Sequence, residues 1–217
     1  MRFQALAIFQ LAPLVHGQEN TAEGDVAPQA ALKAKAAPAP SIDILGDVEI
    51  AQAPNGNSFI FYQSASTFDI MMVHVTDAFT DGQSKNVQVI VPASEVMRGT
   101  PLAIAQLNRG EKGDNDLGNL DLFFFSPDGV LSGYRYLNDE TPHWRGGAAC
   151  GLCVTHQNYQ AASSFRGSLF LYADGGNWKK SGAGIRVGFR SANFPNTVTE
   201  ADRHHSKWHL SPLPGSS

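Results

Sequence analysis

Hydrophobic and polar positions alternate with a period of two through residues 185–190, where apolar Ile185, Val187 and Phe189 interleave with Arg186, Gly188 and Arg190. A β-strand sends successive side chains to opposite faces, so this run predicts a strand with one buried face and with Arg186 turned away from the core. The segment Ser191-Ala192-Asn193-Phe194-Pro195-Asn196 has the Asn and Pro chemistry of a turn. Thr197-Val198-Thr199-Glu200 then predicts the returning strand, and the even separation of Arg186 and Glu200 is compatible with both facing one side of the hairpin. Trp208 is the nearest aromatic downstream. A cation, an anion and an aromatic on one face suit a sugar: charged groups bind hydroxyls, and an apolar ring covers the C–H face of a pyranose. Long helical periodicity is absent. Twenty-one glycines, 13 phenylalanines and only 17% charged residues fit many short strands joined by tight turns.

Three runs share this pattern. Ser58-Phe59-Ile60-Phe61-Tyr62-Gln63, Leu120-Asp121-Leu122-Phe123-Phe124-Phe125 and Ile185-Arg186-Val187-Gly188-Phe189-Arg190 each resemble the Ile-Arg-Val-Tyr-Tyr-Gln strand of the fucose-specific lectins of fungi, which are six-bladed β-propellers. Thr100-Pro101-Leu102-Ala103-Ile104 resembles the element that opens a blade of that family, Ser126-Pro127-Asp128-Gly129-Val130-Leu131 the turn and third strand, and Trp144 falls near the family's Trp. The resemblance covers roughly residues 45–213 and implies an all-β, β-propeller-like fold with about three blades of antiparallel sheet per chain. It further implies a non-catalytic carbohydrate-binding protein for fucose or fucosylated glycans.

A sugar site of the family takes the Arg of the Ile-Arg-Val strand, a Glu after the turn and nearby aromatics. The earliest unit has Phe59 at the Arg position and no clear Glu between Asp69 and Val73. The middle unit has Asp121 there, with the Glu position near Gly133. Only Arg186 and Glu200 keep both charges, with Trp208 as the accompanying aromatic. The plainer reading of the same residues is an exposed cross-strand ion pair and a core Trp. Three units of about sixty residues are too few to close a ring, so a ring-completing homodimer is expected. The competing class is a secreted propeller-derived scaffold that has lost sugar binding and contacts a protein partner. A third is a hydrolase using carboxylates such as Asp114, Asp116, Asp121 and Glu140, although Asp114 and Asp116 sit in a Gly/Asn/Asp-rich stretch that reads as a solvated loop.

The N-terminus narrows the compartment. Met1-Arg2 followed by the mostly apolar Phe3–Val15 and by His16-Gly17 predicts a secretory signal peptide over 1–17, and the Ala- and Pro-rich residues 18–44 predict a linker, with 214–217 as a tail. Cys150-Gly151-Leu152-Cys153 reads as a redox dithiol, half of a metal site with His156, or a small-loop disulfide. An oxidising compartment and an even cysteine count favour the disulfide. His204, His205 and His209 with Asp202 match no closed metal-ligand pattern and read as surface histidines, so neither metal nor cofactor is expected. A net charge of −4 without a basic stripe recommends neither a nucleic acid nor an anionic membrane as partner.

Overall fold

A computed structural model describes residues 42–77, 82–107, 117–138, 143–147, 150–162, 170–178, 182–204 and 206–215. The expected signal peptide and nearly all of the expected linker lie outside the described residues, as do Asp114, Asp116, Glu140 and His205.

The alternating runs fold as strands. The first sheet comprises β1 (Ile44–Gln52), β2 (Ser58–Ser64), β3 (Ile70–Thr76) and β4 (Gln83–Val91). The second comprises β5 (Ala103–Leu107), β6 (Asn119–Phe125), β7 (Leu131–Leu137) and β8 (His143–Arg145), and the third β9 (Tyr172–Trp178), β10 (Gly182–Phe189), β11 (Thr199–His204) and β12 (Lys207–Pro212). Each sheet is an antiparallel meander in which every strand pairs with its sequence neighbour. The fold is therefore all-β and propeller-like, with three four-stranded blades among the described residues.

Period-two patterning gives each sheet two distinct faces, and successive sheets stack through them. Between the first and second sheets lie Phe61, Ile70, Met72, Leu120, Leu122 and Phe124. Between the second and third lie Phe123, Phe125, Ile185, Val187, Phe189 and Trp208. Full burial of side chains of this size contributes about 1.5–3 kcal/mol each, so the two apolar seams dominate the packing.

The first strand of each sheet lies on the inside, with β5 beside both β1 and β9. Gln106 links these elements by donating from Nε2 to the carbonyl oxygens of Gln52 (3.0 Å) and Leu117 (2.7 Å). The approach of β9 to β5 needs a glycine, because a Cβ at Gly175 would stand 2.8 Å from the Gln106 carbonyl oxygen. Gln63, fully buried, ties the first sheet to the segment that runs from β4 to β5: its Oε1 accepts from Gly99 N at 2.7 Å, while its Nε2 donates to Phe68 O in the β2–β3 turn at 2.8 Å.

Candidate functional site

The face of the third sheet turned away from the second is polar. Its rows follow from the register: Arg186 pairs with Asp174 on one side and Asp202 on the other, and Gly188 pairs with Tyr172 and Glu200. Arg186 and Glu200 are thus diagonal neighbours on one face, as their even spacing predicts. Arg186 Nη2 donates to Asp174 Oδ2 at 3.0 Å, and Arg186 Nη1 lies 3.7 Å from Glu200 Oε2. The bond to Asp174 and the nearby negative charges raise the Arg186 pKa further, against the opposing effect of burial. Asp174 was not among the candidates read from the sequence. Its signal would have been the register of β9 against β10, which only the turn between them sets.

Trp208 does not join this group. It pairs across β11–β12 with Arg203, one residue out of phase with the row of Asp202 and His209, so the pleat turns it to the opposite face. There it is buried edge-on against Phe123, with ring centroids 6.1 Å apart, and its Nε1 donates to Leu152 O at 3.0 Å. The expectation of Trp208 as the sugar's aromatic is therefore corrected to a core residue of the seam between the second and third sheets.

The aromatic beside Arg186 is Tyr172. Its hydroxyl donates to Glu200 Oε2 at 3.2 Å, and its ring lies across Gly188, where an added Cβ would fall 1.7 Å from the ring. The strand that Ile185–Arg190 resembles has Tyr at the position of Gly188, so β9 supplies from the side the ring that β10 lacks. Burial first, and then the charge of Glu200, raise the Tyr172 pKa, while Arg186 acts in the opposite direction. The site offers a fixed cation, two carboxylates and a phenol over a glycine floor. Such a surface can exchange hydrogen bonds with hydroxyls and lay a ring on a C–H face.

The equivalent positions of the other sheets carry different chemistry. In the second sheet Asp121 stands where Arg186 stands, and Gly133, paired with Phe123, stands where Glu200 stands. Arg135 fills the space, donating to Asp121 Oδ1 from Nε (2.9 Å) and Nη2 (2.6 Å), with both side chains under 10% exposed. In the first sheet Phe59 and Met72 occupy the two positions.

Cys150 and Cys153 form a disulfide. The loop it closes presents the Leu152 carbonyl to Trp208, and the following 3-10 turn (Val154–Gln157) lets Thr155 Oγ1 accept from Gly133 N at 3.0 Å. The bridge therefore braces the seam between the second and third sheets.

No protein-family model and no curated protein matches the sequence. Solved structures do match in shape. AofleA from Arthrobotrys oligospora superposes with a TM-score of 0.59 at 17% identity, over 80% of this chain and 43% of that one. The fucose-specific lectin from Aleuria aurantia gives 0.52 at 16% identity, over 76% of this chain and 46% of its own. The chain has a fucose-lectin-like fold. The BP39L lectin from Burkholderia pseudomallei extends the likeness to a bacterial protein, with a TM-score of 0.51 at 15% identity over 79% of this chain and 41% of that one. The chain thus spans less than half the length of these lectin-fold structures.

Proposed function

We propose that this protein is a secreted, non-catalytic carbohydrate-binding protein, and that Arg186, Glu200, Asp174 and Tyr172 bind fucose or a fucosylated glycan. The observation that carries the reading is the Arg186–Glu200 diagonal beside an aromatic, on a lectin-like fold. Secretion rests on the signal-like pattern of residues 1–17, with which the Cys150–Cys153 bridge is compatible.

Two copies complete a ring in this reading. The outward face of the first sheet presents Val48, Ile50, Val87 and Val89, with Ile50 51% and both valines of β4 53% exposed, and such a face favours a covering sheet. In such a ring the first sheet of one copy would stand beside the charged face of the other copy's third sheet, and the sugar site would lie at the mouth of the seam between copies. Two sets of three blades would make the six of the family resembled.

Calorimetry with L-fucose tests the site. Arg186→Ala abolishes binding while the melting temperature holds, and Glu200→Gln weakens it by removing a charged acceptor. Unchanged affinity in both variants would overturn the assignment. Light scattering at micromolar concentration tests the ring: the protein runs as a dimer, and Val87→Glu with Val89→Glu makes it a monomer. Secretion is checked by intact mass of protein from the culture medium, which should lack residues 1–17.

A further inference from the structure

A cavity of about 440 Å³ opens between the first and second sheets, lined by Phe59, Met72, Tyr136 and Trp144 among others. It stands at the register of the sugar-site pair, since Phe59 and Met72 are the first sheet's counterparts of Arg186 and Glu200. We propose that this cleft is a second binding site, for an uncharged ring compound, aromatic or alicyclic, that carries one hydrogen-bonding end.

The size is the first reason. Small-molecule sites occupy roughly 300–1,000 Å³, and this cleft lies inside that range. The second reason is charge. Among the described residues the lining contains no aspartate, glutamate, lysine or arginine, and its titratable member His143 already accepts from Arg145 Nε at 2.6 Å, so a charged ligand would surrender its hydration for little return.

Rigidity is the third. The Phe59 ring is stacked on His74 with centroids 4.5 Å apart and 5° between planes. Trp144 is held edge-on by Phe61 at 5.7 Å and lies 5.4 Å from Tyr136. Walls fixed in this way keep the cleft open and spare a ligand the entropy of ordering them.

Polar groups sit where a ligand's single polar end would meet them. Gln88 Nε2 leans on Met72 Sδ at 3.9 Å, which leaves the Gln88 carbonyl oxygen as an acceptor, and Asn138 also lines the cleft. A ring stacked along Phe59 and Trp144 with an N–H or O–H toward the Gln88 carbonyl oxygen satisfies both kinds of surface.

Indole is a suitable probe, with L-fucose as its comparator. Saturation-transfer NMR should detect indole binding at millimolar concentration. Gln88→Trp, an exposed position that tolerates a large side chain and plugs the opening, should weaken binding at least tenfold. Phe59→Ala should weaken it as well, with a thermal melt confirming the fold. Arg186→Ala should leave indole binding unchanged, and L-fucose should not displace it, so the outcome is separable from that of the sugar site. Absence of binding, an unaffected Gln88→Trp variant, or displacement by L-fucose would overturn the proposal.

Discussion

Two ion pairs occupy one register on two sheets of this molecule and behave as different objects. Asp121–Arg135 lies in the seam between the second and third sheets, with both side chains under 10% exposed, whereas Arg186 with Asp174 and Glu200 lies on an outer face, the arginine 39% exposed. A buried pair has no water to replace a lost partner, so it is committed to structure. An exposed pair contributes a fraction of a kcal/mol and can give its hydrogen bonds to an incoming hydroxyl at small cost. The same strand position is thus closed to a ligand in one sheet and open to it in the next, and burial decides which.

Removing the cation from each pair separates them most. Arg135→Ala should cost about 3–5 kcal/mol, because it strands a buried carboxylate. Arg186→Ala should stay within about 0.5 kcal/mol. Denaturant melts of the two variants measure the gap, and equal losses would erase the comparison. The pH dependence carries a sign. Burial raises the Asp121 carboxyl above its ordinary range, against the pull of Arg135. The folded state therefore favours the protonated acid, and stabilisation from that source is present in acid and lost as pH rises through the raised pKa. Without Arg135 the carboxyl rises further. The Arg135→Ala penalty should accordingly be smallest at low pH and grow toward neutrality.

A smaller effect tests whether the seam is braced independently of the outer face. Reducing Cys150–Cys153 should cost about 2 kcal/mol, the chain-entropy expectation for so short a loop. It should also loosen the Leu152 carbonyl under Trp208, read as a change in indole fluorescence. Fucose affinity should be unchanged, since Arg186 and Glu200 project from the opposite face.

The smallest effect sharpens the picture of the outer face. Tyr172 titrates above an ordinary tyrosine, raised by burial and Glu200 and restrained by Arg186. Its share of stability is present below the ordinary tyrosine pKa and is lost as pH rises through the raised one. Phenolate absorbance, differenced against Tyr172→Phe, should move toward ordinary values in Glu200→Gln and further upward in Arg186→Ala. Identical titrations in all three backgrounds would show that Tyr172 does not sit in their field.

Local alternation was enough to identify the strands of β2, β6 and β10 and to put Arg186 and Glu200 on one side, because period two is a property of the backbone and needs no partner. The same runs carried the resemblance to three propeller blades, and the stacked sheets bear it out. Which face a residue takes far along the chain depends on every intervening turn, since a one-residue slip inverts a strand. That is why the sequence groups Trp208 with Arg186 and Glu200 while the fold seats it in the core, and why Tyr172 and Asp174 of β9, which no local pattern singles out, stand beside Arg186. Burial is likewise a tertiary quantity. Asp121 and Arg186 are equivalent in their strands, and within one chain only the sheet laid over the first and not over the second buries one and leaves the other exposed.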